Sequence, residues 1–483
     1  MKLYKNDNFF KFNKILPIYE WVPPRVKTEF TTEENKKIKG NNLKIFNELA
    51  IDKIKRRALY FNIPFCNQIC KFCPFPKKLN TSKEIVDEYV EALLKEIEIK
   101  SEFDYVTKPM VDVIFFGGGT PSILSSIQLK KIKNKINEKF DLSKLKEFSI
   151  EVEPSTITNE LMETFKQIGV TDVKMGVQTF NQEYRDMFNL KPTVYTVKNA
   201  IKIIQNYYPK NLNIDMMFGF HGQTIDQLID DLNEAIKTGV QDIDYYVINN
   251  ASITPDLARI YEEKNLKPTT GLSKLGMKII VNKIFLENKY VPYNVHSYRY
   301  IEDENIINST KAIYTRYENS YGKNLYGLEG ADIIGFGSNA YTKTQNIGLL
   351  NSGTIEEYID MFKTETWDKL LINKTKQYII NDKPIYDHLI LHGYVKKNDF
   401  EYANLSSEIK LKLKEIIEAK LIEETEDEYR LTSMGWLWYM NIRYYFTCDI
   451  EKTFINESIE KAKKYNNKLE EFELTNLLKS TIN

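Results

Sequence analysis

From residue 57 to about 250 the sequence keeps one beat, a short apolar or β-branched run followed by an amphipathic stretch. The runs are 58–63 (ALYFNI), 111–116 (VDVIFF), 147–152 (EFSIEV), 172–177 (DVKMGV), 212–218 (LNIDMMF) and 243–248 (IDYYVI). Between them, at 82–103, 126–138, 157–168, 193–206 and 224–238, apolar residues recur with the period of a helix. In the first of these Ile85, Val86, Tyr89, Val90, Leu93, Leu94 and Ile97 share a face. Strands that are apolar throughout, each separated from the next by a helix, require a parallel sheet buried on both faces. The pattern predicts an α/β fold, a partial (β/α)6 barrel, open or closed, whose ligand site lies where the βα loops gather at the carboxyl ends of the strands.

Flanking segments break the beat. Residues 1–54 are polar around an aromatic knot (Tyr19, Trp21) and read as an N-terminal extension; 55–270 is the barrel. Across 271–375 the rhythm weakens, with a helix near 271–288, a strand-like stretch at 290–300 and a Gly-rich turn at 332–341, a part expected to extend and close the barrel's open side. In 376–450, IEE and YRLT alternate across the turn TEDE, which reads as a small winged-helix-like domain, and 451–483 as a C-terminal helical tail. Lys+Arg and Asp+Glu both total 67, so no global positive field exists to gather phosphate backbone, and the YRLT to MGWLWYMN stretch is poor in basic residues; nucleic acid is not an expected partner. No signal-peptide core and no run of about 18 apolar residues is present, so no membrane partner and a cytoplasmic location are expected.

Cys66, Cys70 and Cys73 fall within one short loop directly after the first predicted strand, while Cys448 stands alone. Three thiolates on one loop suit a [4Fe–4S] cube held through three irons, with the fourth left open to a small chelating molecule. A Cys₃His zinc site competes, although the nearest histidine in sequence is His221; buried structural thiols are the third reading. Gly117-Gly118-Gly119-Thr120 ends the strand VDVIFF, where missing side chains let backbone approach a ligand closely. Glu151 inside one apolar run and Asp215 inside another are costly to bury without partners.

Together, Tyr60-x-x-Ile-Pro-Phe-Cys-x₃-Cys-x₂-Cys, FFGGGTPS at 115–122, EVEP at 151–154, GVQTFN at 176–181 and NIDMMFG at 213–219 resemble the radical S-adenosylmethionine (SAM) superfamily, in the branch around oxygen-independent coproporphyrinogen III oxidase. The resemblance implies a [4Fe–4S] cluster on Cys66, Cys70 and Cys73, with SAM held by Tyr60, Phe72, Gly117, Gly118, Gly119, Thr120, Glu151, Gln178 and Asp215. It further implies a flavodoxin or ferredoxin-type electron donor and a tetrapyrrole substrate, haem or coproporphyrinogen.

Three departures from the family pattern matter. An Arg usual after GVQ-x-FN is absent from Phe188-Asn189-Leu190-Lys191, so that cation is either supplied by Lys191 or lost; a usual His is Asn62, and Phe75 stands where coproporphyrinogen oxidases carry a further cysteine. The last departure makes the chain look most like anaerobic haem-utilisation methyltransferases of the anaerobilin synthase type, which use two SAM molecules to methylate and open the porphyrin; oxidative decarboxylation of coproporphyrinogen III and a haem-binding chaperone of the same family are the alternatives, and His296 and Arg299 are the candidate substrate residues. His388 and His392 have a metal-compatible spacing but no visible third ligand.

Overall fold

The computed structural model describes residues 42–446, apart from 74, 80–81, 249–252, 303–330, 345–346, 352, 367–369 and 375–376. Most of the 1–54 extension, all of the 451–483 tail and Cys448 lie outside the described residues. The strands are β1 (Arg56–Ile63), β2 (Phe65–Cys66), β3 (Lys78–Leu79), β4 (Val113–Gly118), β5 (Glu147–Val152), β6 (Asp172–Gln178), β7 (Leu212–Phe218), β8 (Asp242–Val247), β9 (Tyr290–Pro292), β10 (Ser297–Tyr300), β11 (Ala331–Phe336), β12 (Tyr341–Thr344), β13 (Ile347–Asn351), β14 (Leu370–Lys374), β15 (Tyr394–Lys396), β16 (Ile422–Glu424) and β17 (Glu428–Leu431).

One 12-stranded sheet dominates, in the order β14-β13-β12-β11-β1-β4-β5-β6-β7-β8-β10-β9. Its central run, β1-β4-β5-β6-β7-β8, is parallel and built from the six apolar runs of the sequence. The crossovers are the helices Lys83–Lys100, Ser126–Lys139, Asn159–Ile168, Val194–Tyr207 and Ile225–Lys237. Each begins at a Ser or Thr whose side chain accepts an amide N–H in the first turn, Ser82, Ser125, Thr158, Thr193 and Thr224. Under these helices lies the main core, with Leu59, Phe61, Ile114, Phe116, Ile150, Met175, Ile214 and Ile243 pointing outward from the sheet. Strand alternation turns the intervening residues, among them Tyr60, Phe115, Glu151, Lys174, Asp215 and Asp244, to the opposite face.

The segment 271–375 lengthens the sheet at both edges, β9 and β10 beside β8 and β11–β14 beside β1; among the described residues no strand joins β14 to β9. The Gly-rich stretch 332–341, expected as a turn, is mostly strand. Ile333, Ile334 and Phe336 are buried, and β11 runs parallel to β1 before Gly337, at φ 100°, turns the chain. A buried Glu96 fixes that turn: its carboxylate accepts from Gly337 N–H, Asn351 Nδ2 and Tyr358 Oη, each at 2.6 Å, and pairs with Lys100 at 2.6 Å. The C-terminal part forms a second core around Ile385, Leu413, Trp436 and Trp438, with a three-stranded sheet β15-β17-β16. β15 was not legible in the sequence because only three residues pair.

Candidate active site at the strand ends

Immediately after β1 the chain enters the cysteine loop, and three separate elements grip it. Lys71 donates its N–H to Phe188 O (3.1 Å) and accepts from Thr254 N–H at its own carbonyl (2.9 Å). Asn189 Nδ2 donates to Ile69 O at 2.9 Å, and Lys191 N–H to Gln68 Oε1 at 2.6 Å. Cys70 and Phe72 pack on an apolar cluster of Tyr184, Phe188, Met217, Phe220, Ile248 and Leu257, and the Phe72 ring meets Phe188 edge-on at 5.4 Å. The segment 188–191, read from sequence as the place of a missing cation, is therefore a latch on the loop. Lys191 Nζ is turned to Asn67 O at 3.4 Å, on the exposed rim.

Behind the latch stands Arg185, which is 1% exposed and was not singled out from the sequence. Its guanidinium donates to Val177 O and Thr179 O at 2.8 Å and to Pro192 O at 2.6 and 2.8 Å. Asp231 completes the support through Thr179 Oγ1 and the Phe180 N–H (2.7 Å). Burial lifts the Asp231 carboxyl to about 6 despite these donors. A buried Arg makes no periodic pattern, so nothing in the sequence separated it from a surface cation.

Cys66 is 9% exposed, Cys70 and Cys73 half-buried. Burial pushes the Cys70 thiol up to about 12, with Cys73 and Cys66 adding to the rise; burial likewise raises Cys66, against a hydrogen bond from Thr120. Among the described residues no three His, Cys, Asp or Glu side chains converge closely enough to share one metal ion. His388 and His392, their rings 4.4 Å apart, are buried in the C-terminal core and also form no such group.

Gly117, Gly118 and Gly119 bring bare backbone beside the loop. A Cβ on Gly119 would lie 2.6 Å from Phe65 O, one on Gly117 2.9 Å from Glu151 Oε2, and one on Gly118, at φ 109°, would strike Asn62 Oδ1. Asn62 is locked in place, donating to Ser338 O at 2.6 Å and accepting from Tyr60 Oη at 3.1 Å. Glu151 accepts the Gly118 N–H at 3.0 Å. Gln178 closes β6 at φ 73°, just past a register shift at Val177, and pairs with Met216 of β7. Asp215 lies mid-strand, opposite Gly176 and Asp244, and not at a strand end as the other three do. Burial, then Asp244 and Glu151, push the Asp215 carboxyl well above its ordinary range against the pull of Lys174. Thus Gly118 and Glu151 are joined across the neighbouring strands β4 and β5, and Glu151 acts on Asp215 across β6.

The two candidate substrate residues stand apart. His296 stacks on Tyr246 at 4.9 Å and is backed by Tyr439 at 6.1 Å. Burial first, then Lys278 and Arg443, lower its imidazole to about 3, so it is neutral. Arg299 is bound to Asp242 at 2.6 Å, at the beginning of β8 and the far end of that strand from the loop gripped at Thr254. It is not the cation beside the cysteines that a propionate there would need.

Residues 62–235 match the Radical SAM superfamily. The chain is similar to the heme chaperone HemW of Buchnera aphidicola subsp. Schizaphis graminum, 26% identical over 79% of this chain and 96% of that one. It is also similar to the oxygen-independent coproporphyrinogen III oxidase of Helicobacter pylori, 24% identical over 95% of this chain and 89% of that one. Coproporphyrinogen III oxidase (HemN) of Escherichia coli shares the fold, with a TM-score of 0.69, 19% identity, and 83% and 92% of the two chains covered. No helix among the described residues is long and apolar enough to cross a membrane. The 62–235 segment, with its parallel sheet and gripped three-cysteine loop, matches the Radical SAM superfamily, whose cofactors are a [4Fe–4S] cluster and SAM, and the chain as a whole is similar to HemW and HemN proteins.

Proposed function

We propose that this chain is a haem-binding radical SAM protein of the chaperone type, which holds a [4Fe–4S] cluster on Cys66, Cys70 and Cys73 and SAM beside it. The observation that carries the reading is the gripped loop next to a bare-backbone cradle and two carboxylates on β5 and β7, either side of β6. When bound, the cluster and SAM supply one-electron reductive cleavage of the sulfonium, with the electron coming from a flavodoxin or ferredoxin-type donor. The chain's own residues do the holding. Gly117 to Gly119 and Thr120 let backbone approach the methionine end of SAM, and Gln178 reaches its carboxylate. Glu151 and Asp215 accept from the ribose hydroxyls, Phe72 covers the adenine, and Tyr60 borders the same face. Tyr246 and His296 offer an aromatic wall for a flat macrocycle, and the neutral imidazole is fit to act as a ligand or hydrogen-bond partner.

The relatives move the reading away from ring-opening methylation, since those compared are named as haem chaperones and coproporphyrinogen oxidases. Phe75, 58% exposed beside the loop where the oxidases have a further cysteine, favours the chaperone side; similarity over 95% of the chain to an oxidase keeps decarboxylation as the second reading. Anaerobic incubation of reconstituted protein with SAM, reductant and either haem or coproporphyrinogen III separates the two. Stoichiometric haem binding with an unaltered Soret band and intact coproporphyrinogen is expected. Decarboxylation of coproporphyrinogen with 5′-deoxyadenosine release selects the second reading, and loss of the Soret band with S-adenosylhomocysteine would restore haem degradation.

A further inference from the structure

Lys174 sits midway along β6, in register with Glu151 on β5 and Asn213 on β7. Its ammonium lies 5.3 Å from the centre of the Phe115 ring on β4, which fixes it on the sheet face that carries Glu151 and Asp215. The charged groups that act on it are Asp244, Glu147, Asp215 and Glu151, and it acts in turn on Asp172 of its own strand and Asp242 of β8, which Arg299 of β10 also faces. Arg299 is committed to Asp242 at 2.6 Å, which leaves Lys174 as the cation among the rest. Asp244 sharpens the imbalance: it is 6% exposed, and its Oδ1 has no hydrogen-bond partner.

Carboxylates crowded in a partly dry site push one another toward the protonated form. Burial raises the Glu151 carboxyl as well, opposed by the Gly118 N–H and then by Lys174, whereas at Asp215 the rise is opposed by Lys174 alone. Burial draws the Lys174 ammonium down, and Asp244, Glu147, Asp215 and Glu151 together outweigh it, so the group stays charged. The rim cation Lys191 is spent on Asn67 O and leaves this face to Lys174.

We propose that Lys174 is a positioning residue for SAM: in register with Glu151 and on the sheet face of Asp215 and Asp244, it favours in the first two the ionised, hydrogen-bond-accepting form that suits the ribose hydroxyls. This rests on the reading of Glu151 and Asp215 as SAM contacts. It accounts for an ammonium in the middle of a parallel sheet, where a helix-covered core alone would give none.

The test is calorimetric titration of SAM into anaerobically reconstituted full-length protein, wild type, Lys174→Met, Lys174→Arg and Asp215→Asn, between about pH 6 and pH 9. Ionisation of the carboxylates governs the acid side of the affinity profile. Removing the neighbouring cation should move that limb upward by about one to three pH units and weaken binding near neutrality roughly tenfold, with affinity regained as the pH rises. Lys174→Arg should keep the wild-type profile. If Asp215→Asn weakens SAM while Lys174→Met, with normal iron content, superimposes on wild type, the role of Lys174 is overturned and the SAM site stands. A loss in Lys174→Met that is the same at every pH also overturns it, in favour of packing. If Asp215→Asn binds SAM as wild type does, the underlying site assignment falls. Should Lys174→Met not fold, Lys174→Gln against Lys174→Arg reads the same shift.

Discussion

Replacing Arg185 by Leu should loosen the cysteine loop from a distance. The side chain serves three backbone acceptors, Val177 O, Thr179 O and Pro192 O, through four contacts of 2.6–2.8 Å. Val177 O keeps the Thr179 N–H at 2.9 Å, so Thr179 O and Pro192 O are the carbonyls orphaned, at about 1–3 kcal/mol each or roughly 2–6 kcal/mol together. Relief from burying a cation offsets part of this, and Asp231 loses its nearby countercharge, which brings the net destabilisation to about 3–5 kcal/mol. That exceeds what the latch at 188–191 can absorb and still hold Ile69 and Lys71 in place. Anaerobic urea denaturation of the apoprotein reads the stability, and iron and sulfide per chain after reconstitution read the loop. Lower cluster occupancy together with the stability loss is expected, and Arg185→Lys should rescue little, because one ammonium cannot span three carbonyls. A Leu variant within about 1 kcal/mol of wild type and fully loaded with iron would refute the reasoning.

Two further expectations are more direct. Cys70→Ala should abolish the anaerobic visible absorbance of the cluster and with it SAM cleavage, while far-UV dichroism is kept; full iron and sulfide content would remove Cys70 from the ligand set. His296, held down to about 3 mainly by burial, must be neutral in the fold. A depressed folded-state pKa gives stability that is present above the unfolded value of about 6.5 and lost as the pH falls below it, on the order of 1–2 kcal/mol by about pH 5. Denaturation midpoints of His296→Phe, which preserves the stack on Tyr246, should therefore fall less between those pH values than wild-type midpoints; parallel slopes would show that His296 titrates normally.

Read by itself, the sequence determined the six parallel strands and their five crossover helices, and it marked the cysteines and glycines that follow the first two strands. Those are local properties. An apolar run such as 111–116 can only be buried on both faces, a Ser or Thr before an amphipathic stretch starts a helix, and three cysteines in one loop are near each other whatever the chain does elsewhere. The glycine cradle was legible for the same reason.

What only the tertiary structure decided involves groups distant in sequence. The latch at 188–191 reaches Asn67 to Lys71 across more than a hundred residues, so its meaning lay in a partner that no spacing reveals. Stretch 332–341 became a strand because β1 offered an open edge and Glu96 a buried acceptor for the turn that follows. Arg299 looked like a substrate cation until the antiparallel pairing of β10 with β8 set it against Asp242. Lys174 reads in sequence as one polar residue inside a strand. Its place among carboxylates from three neighbouring strands is set by the register of the sheet, which only the packed fold defines.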